Sequence, residues 1–175
     1  SGIGFAADPD AIAMLTRAAE RGADASQVLL AVAYLNGDAG LTRDPGRAAY
    51  WFEQAAIRGN AYAEERLGDL YEQGIGIAEN RKLAFDWRVK AARRGSLEAQ
   101  VKVGRMLQDG IGVGRDIDQA IYWFHRAAAE GNAEAQSLLD HLDHYGSDKE
   151  LDQAVGRSWF EAAAKRGYEA ARHFV

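Results

Sequence analysis

Residues 84–95 read AFDWRVKAARRG, and the same order of small, aromatic and glycine residues recurs along the 175-residue chain. An alanine pair follows each tryptophan after four and five residues, and a glycine follows after eight. A spacing of 36 residues separates the tryptophans Trp51, Trp87, Trp123 and Trp159, and the glycines Gly59, Gly95, Gly131 and Gly167. One period shared by this many positions predicts an array of stacked repeats.

Each repeat is predicted to contain two helices. The second helix follows an N-cap residue, whose side-chain oxygen can accept a hydrogen bond from the first turn, and ends at a glycine in the left-handed conformation. The N-caps are Asp44, Asn80, Asp116 and Asp152, and the predicted helices cover 45–58, 81–94, 117–130 and 153–166. The first helix is clearest over residues 61–73, where apolar and small residues keep helical spacing.

The alternation of small and large residues predicts how the helices pack. A small residue lies three positions before each tryptophan, for example Ala84 before Trp87, and both face the same side of the helix. Gly68 and Gly104 fall inside first helices, where glycine costs about 1 kcal/mol relative to alanine unless a neighbouring helix must come close. We therefore expect the tryptophans to form the core between closely packed helices.

The predicted fold class is all-α, an α/α solenoid with a right-handed superhelix. Its four repeats would cover 24–60, 61–96, 97–132 and 133–168, with a partial repeat at 8–23 and the start of a further helix at 169–175. No single repeat can bury its own apolar face, so the units must stack. Because the sequence begins at Ser1, we expect a processed chain or a piece of a longer array.

Composition narrows the possible functions. The net charge of −5 and the pI near 5.4 argue against nucleic-acid binding, which favours a basic surface. The absence of cysteine excludes disulfides and thiolate metal sites. The longest apolar run, at 28–35, is too short to cross a bilayer, so we expect no membrane insertion.

The sequence predicts no catalytic, cofactor or metal site. His141 and His144 could share a helix face, but no third metal ligand is fixed, and a polar face is the favoured interpretation. The glycine-rich run at 110–114 lacks a preceding strand and the lysine of a phosphate loop, so it is predicted to be a turn. We therefore predict a protein that is not an enzyme.

The string Ala63-x-x-x-Leu67-Gly68-x-x-Tyr71-x-x-Gly74-x-Gly76-Ile77-x-x-Asn80-x-x-x-Ala84-x-x-Trp87-x-x-x-Ala91-Ala92-x-x-Gly95 resembles the Sel-1-like repeat, a relative of the tetratricopeptide repeat. The third repeat matches as well, whereas the fourth departs from the pattern at Asp140 and Asp143. The resemblance implies a curved superhelix with first helices lining a concave groove. It also implies an adaptor in a bacterial regulatory or cell-envelope assembly, in the periplasm or outside the cell rather than in the cytoplasm.

The resemblance also implies which residues would contact a protein or peptide partner. Matched to tetratricopeptide groove positions, they are Tyr62, Glu65, Asp69, Glu72, Gln73, Glu98, Val101, Arg105, Gln108, Asp109, His141 and His144. Further matched positions are Ala25, Val28, Val32 and Leu35 in the first repeat, and Glu134, Ser137 and Tyr145 in the fourth. This groove would be acidic in the middle and apolar at its N-terminal end, which suits a basic partner with one apolar anchor.

Other interpretations stay open at this stage. The charged groove positions could be a solvated helix face. The aromatic clusters Tyr50-Trp51-Phe52 and Tyr122-Trp123-Phe124, with Phe160, could form an exposed surface that binds glycan or cell-wall fragments, or they could pack between repeats. The chain could also be a purely structural segment of a longer array.

Overall fold

The computed structural model describes the backbone of residues 9–148 and the side chains of residues 9–142. Within that part of the chain there are eight α-helices and no strand. The helices are α1 Pro9–Glu20, α2 Asp24–Asn36, α3 Pro45–Ile57, α4 Ala61–Gln73, α5 Arg81–Arg93, α6 Leu97–Asp109, α7 Ile117–Ala129 and α8 Ala133–Asp148. This all-helical repeat architecture confirms the predicted solenoid fold class.

The helices form two kinds of neighbour contact. The pairs α2–α3, α4–α5 and α6–α7 pack within one repeat, and α3–α4, α5–α6 and α7–α8 pack between repeats. Hydrogen bonds also join α4 to α6 and its N-cap. Ser96 Oγ, at the N-cap of α6, donates to Glu65 Oε2 at 2.6 Å, and Lys102 Nζ donates to Asp69 Oδ1 at 3.1 Å. We use the name first-helix face for the surface shared by α2, α4, α6 and α8.

The N-caps predicted for α3, α5 and α7 are confirmed. Asp44, Asn80 and Asp116 each accept a hydrogen bond through Oδ1 from the backbone N–H three residues later, at 3.0 Å in all three cases. Each cap satisfies one of the donors that the start of a helix leaves free. The cap predicted at Asp152, the helix predicted at 153–166 and the segment 169–175 lie outside the described residues.

The predicted helix ends are also confirmed. Gly59, Gly95 and Gly131 have φ values of 87°, 97° and 89°, in the left-handed region that an L-residue with a Cβ adopts only at a cost. Each helix ends one residue before the predicted boundary, because the residue before each glycine forms the C-cap. The run at 110–114 forms a turn between α6 and α7, as predicted.

The prediction that tryptophan forms the core is wrong for two of the three described repeats. Trp51 and Trp87 are only partly buried, whereas Phe52 and Phe124 are fully buried. On α3 the small residue Ala48 lies four positions before Phe52, so both occupy the centre of the buried stripe. Trp51 lies beside that stripe, and this places the residue after each tryptophan at the centre of the core.

The mid-helix glycines allow the close approach predicted for them. A Cβ at Gly68 would lie 2.8 Å from Cγ of Arg88, and a Cβ at Gly104 would overlap the ring of Phe124. The helices α4 and α6 therefore make room for the residue that follows the tryptophan of their own repeat. Among the described residues, no helix is both long and apolar enough to cross a membrane.

Candidate partner-binding face

Arg88 occupies a core position on which the other described repeats place phenylalanine. The residue after the tryptophan is Phe52 in the first repeat and Phe124 in the third, but arginine in the second. Arg88 is only 2% exposed. A buried guanidinium is costly unless charged or polar partners surround it.

The partners of Arg88 come from both adjacent first helices. Its Nη2 lies 2.8 Å from Oδ1 of Asp69 and 2.6 Å from Oε2 of Glu72, both on α4. Its Nη1 lies 3.4 Å from the sulfur of Met106 on α6. These contacts extend from the core to the first-helix face, where the two carboxylates are found.

The internal repeat shows what these two carboxylates do. The positions equivalent to Asp69 and Glu72 hold Val32 and Leu35 in the first repeat, and Arg105 and Gln108 in the third. Two carboxylates occur only in the repeat that contains the buried arginine. The ion pairs with Arg88 therefore account for Asp69 and Glu72. These pairs are already formed before any partner binds.

Lys102 connects the same cluster to the next repeat. Its Nζ lies 2.7 Å from Glu98 on α6 and 3.1 Å from Asp69 on α4. A weaker contact of 3.6 Å reaches Glu65. Together with the bond from Ser96 to Glu65, these contacts tie α4 to α6 along the first-helix face.

The electrostatic environment follows from these contacts. Burial raises the pKa of Asp69, but hydrogen bonds from Arg88 and Lys102 outweigh burial and hold that pKa below its ordinary value. The hydrogen bond from Arg88 also lowers the pKa of Glu72. By contrast, burial raises the pKa of Glu65 despite its bond from Ser96. The two carboxylates that hold Arg88 are therefore ionised at neutral pH.

The predicted acidic middle of the groove is largely neutralised inside the chain. Besides Arg88 and Lys102, Arg66 pairs with Asp69 at 3.1 Å. Arg105 pairs with Glu134 at 2.6 Å, which joins α6 to α8. The sequence showed the carboxylates at groove positions but not the cations opposite them. A basic partner would therefore find few unpaired carboxylates here.

The predicted groove residues differ in accessibility. Tyr62, Gln73, Glu98, Arg105, Asp109 and His141 are exposed, and Glu65, Asp69, Glu72 and Gln108 are partly buried. The prediction that Val101 contacts a partner is wrong, because this residue is 3% exposed and packs in the core cluster. The side chains of His144 and Tyr145 lie outside the described residues, and within residues 9–142 no group of three or more His, Asp or Glu could hold a metal.

A cavity of about 410 Å³ lies between α2 and α4 at the N-terminal end of the first-helix face. Of the predicted groove residues, Leu35, Asp69 and Gln73 line it. Arg43 and Arg66 also line it, and sequence reasoning did not predict either residue. Arg43 recurs as Arg115 two repeats later, and both donate to a carbonyl at the end of the preceding first helix, so the recurrence indicates this bond and not the cavity.

The predicted aromatic surface loses its two described phenylalanines. Phe52 and Phe124 are core residues, which excludes them from any contact with a ligand. Tyr50 is 53% exposed, and its ring packs edge-on against the ring of Trp51 with 5.0 Å between the ring centroids. Tyr122 is partly buried, and Phe160 lies outside the described residues.

Stacked helix pairs with capped second helices and close first helices define a tetratricopeptide-like helical repeat. The Sel1 repeat family matches residues 24–60, 61–96, 97–132 and 143–168, and the chain belongs to this family. Sel1 repeat proteins are generally scaffolds for protein–protein interaction, and the fold is typically non-catalytic. A comparison with curated protein sequences found no match.

Solved structures support the same assignment. A Sel1 repeat protein from Oxalobacter formigenes is 36% identical, with a TM-score of 0.69 over 75% of this chain and 98% of that one. The protein c5321, a protective antigen of uropathogenic Escherichia coli, is 29% identical with a TM-score of 0.74, over 92% of this chain and 34% of that one. Cysteine rich protein B of Helicobacter pylori shares the fold at 20% identity and a TM-score of 0.56, over 74% of this chain and 92% of that one.

Proposed function

We propose that the first-helix face is the concave groove of a protein-binding scaffold, and that a partner polypeptide binds at its N-terminal half. The observation that carries the proposal is a contrast along this face. Its centre consists of charges paired within the chain, whereas its N-terminal half combines the cavity between α2 and α4 with exposed apolar side chains. Exposed apolar groups favour association, because binding removes them from water.

Two exposed apolar residues mark this half of the face. Leu29 on α2 is 58% exposed and Tyr62 on α4 is 51% exposed. Leu29 is equivalent in the repeat to Arg66 and Lys102, whose charges lie on the first-helix face. Tyr62 is equivalent to Ala25 and Glu98, so no rule of the repeat requires an aromatic residue there.

This arrangement alters the partner chemistry predicted from sequence. Paired carboxylates attract a basic segment weakly, because each must first give up an internal cation. An apolar side chain that binds beside Tyr62 breaks no internal ion pair. We therefore expect apolar contact to make the main contribution to affinity, and charged contacts to orient the partner segment.

Site-specific photo-crosslinking tests the proposal with a control of matched exposure. A photoreactive phenylalanine analogue would replace Tyr62 in one variant and Tyr50 in another, and the chain would be irradiated in cells that express it. Tyr50 suits the comparison because it is 53% exposed but lies on the second helix of its repeat. We expect a discrete protein adduct from position 62 and none from position 50.

The partner protein identified from the adduct is then purified, and its affinity for variants of this chain completes the test. Tyr62→Ala should weaken its affinity at least tenfold, whereas Tyr50→Ala should leave the affinity within twofold. Adducts from position 50 alone would move the binding surface to the second helices and overturn the proposal. If neither position forms an adduct, partner binding is contradicted for the first helices and for the second helices alike.

A further inference from the structure

The cavity between α2 and α4 combines an apolar floor with a rim that is rich in hydrogen-bond donors. Its volume of about 410 Å³ falls within the range of about 300–1,000 Å³ that is common for ligand sites. The floor consists of Leu35, Leu70 and Ile75, and the rim donors are Asn36, Arg43, Arg66 and Gln73. A ligand that satisfies both parts must carry an apolar group and an acceptor-rich, negatively charged group.

Arg43 is the cation that is most available to such a ligand. Its Nε donates to the carbonyl of Leu35 at 3.0 Å, which holds the guanidinium at the C-terminal end of α2. Within the described residues Arg43 has no carboxylate within ion-pair distance. Its terminal nitrogens can therefore donate to a ligand without breaking an internal ion pair.

The single carboxylate of the cavity does not neutralise the rim. The oxygens of Asp69 contact Arg66 at 3.1 Å, Arg88 at 2.8 Å and Lys102 at 3.1 Å. Arg88 is also paired with Glu72, and Lys102 with Glu98, so among the residues that line the cavity Asp69 offsets the charge of Arg66 alone. Asn36 donates to the exposed Asp38 at 2.9 Å, which is the other carboxylate next to the rim. Arg43 is therefore the cation of the cavity lining that has no carboxylate partner among the described residues.

We propose that this cavity binds the carboxyl terminus of a partner polypeptide whose last residue has a large apolar side chain. A terminal residue carries its side chain and its carboxylate on the same α-carbon, so it can contact the floor and the rim at once. An acidic residue inside a chain lacks the apolar group, and a free apolar side chain leaves the rim donors unused. Carboxylates are good acceptors for guanidinium groups, which present paired N–H donors. The inference rests on the proposed partner binding and specifies its chemistry.

The probe is a pentapeptide of glycine and serine that ends in leucine with a free carboxylate. It would be titrated into the isotope-labelled chain and followed through backbone and side-chain amide shifts, which detect binding at millimolar affinity and show where it occurs. Two further peptides, one with a carboxyl-terminal amide and one ending in alanine, separate the contributions of charge and side chain. We expect at least tenfold weaker binding for each, with shifts centred on Gln73 and Asn36.

Arg43→Gln should weaken binding of the leucine peptide at least tenfold. The matched control is Arg115→Gln, because Arg115 Nε makes the equivalent bond to the carbonyl of Gln108 at 3.0 Å in the third repeat. This control should leave the affinity unchanged, and the amide spectrum of each variant reports whether it is folded. Equal binding of the amidated peptide, or no binding of any peptide, would overturn the inference. A crosslink at Tyr62 in the same protein would then leave the broader proposal intact.

Discussion

Glu64 is a buried carboxylate at a position where the neighbouring repeats have glutamine. Gln27 and Gln100, its equivalents, each donate through Nε2 to a main-chain carbonyl eight residues earlier, at 3.0 and 3.2 Å. Glu64 is 1% exposed and as an ionised side chain cannot donate. It accepts instead from Nε of Arg94, at 3.2 Å to each oxygen.

Replacing Glu64 with glutamine should stabilise the chain by about 1 kcal/mol at neutral pH. The amide would donate to the carbonyl of Ala56, the equivalent acceptor, and a buried hydrogen bond of this kind contributes about 1 kcal/mol. Losing the pair with Arg94 costs at most about 1 kcal/mol, because Arg94 is half-exposed and solvent screens its charge. Removing a buried charge offsets that loss.

The sign of the pH dependence follows from the pKa of Glu64. Burial raises this pKa above the ordinary value, more than the bond from Arg94 lowers it. Between the ordinary value and the raised value, the folded chain binds the extra proton, so the parent protein loses stability as pH rises through that window. The glutamine variant has no such group. Its advantage should therefore be complete above the raised pKa and disappear at pH values below the ordinary one.

Urea unfolding of Glu64→Gln and the parent, followed by circular dichroism across this pH range, measures the difference directly. Arg94→Ala provides the second arm of a double-mutant cycle, and it should destabilise the parent but have little effect in the Glu64→Gln background. A variant that is less stable than the parent at neutral pH would refute the reasoning. So would an advantage of equal size at every pH, because it would not come from removing the buried charge.

Two further substitutions test the packing described above. Arg88→Leu should destabilise the chain by about 3 kcal/mol, because it leaves Asp69 mostly buried without its principal partner, and the loss should shrink at acid pH as that carboxylate is protonated. Gly104→Ala should cost about 1–3 kcal/mol in urea unfolding, since the new methyl group overlaps the ring of Phe124. Gly46→Ala is its control, because a Cβ there meets nothing closer than 3.4 Å, and it should be neutral or stabilising.

The helix pattern could be predicted because its signals are local. Asp44 caps a helix whose first residue is proline, and Gly59 ends the same helix in a conformation that glycine favours. Each signal depends on residues three or four positions away in the chain. Repetition at a fixed period then distinguishes these signals from chance, which is why the fold class followed from the sequence.

The ion pairs at the candidate site could not be predicted in the same way, because they join residues that are far apart in sequence. Arg88 reaches Asp69 across 19 positions, and Lys102 reaches Asp69 across 33. Sequence pattern placed the carboxylates on a groove helix but did not show the cations opposite them. Periodicity also could not decide which of two adjacent residues, Trp51 or Phe52, lies at the centre of the core.

Departures from the repeat nevertheless distinguish structural residues from candidates for binding. Arg88 departs from the repeat together with Asp69 and Glu72, and a set of changes that satisfy one another needs no external partner to explain it. Tyr62 departs alone, on an exposed part of the first-helix face. Its ring lies 6.3 Å from the ring of Phe52, measured between centroids, yet half of the side chain stays exposed. Contact with another molecule would bury that exposed half, and this is why Tyr62 is the residue on which the proposed binding is tested.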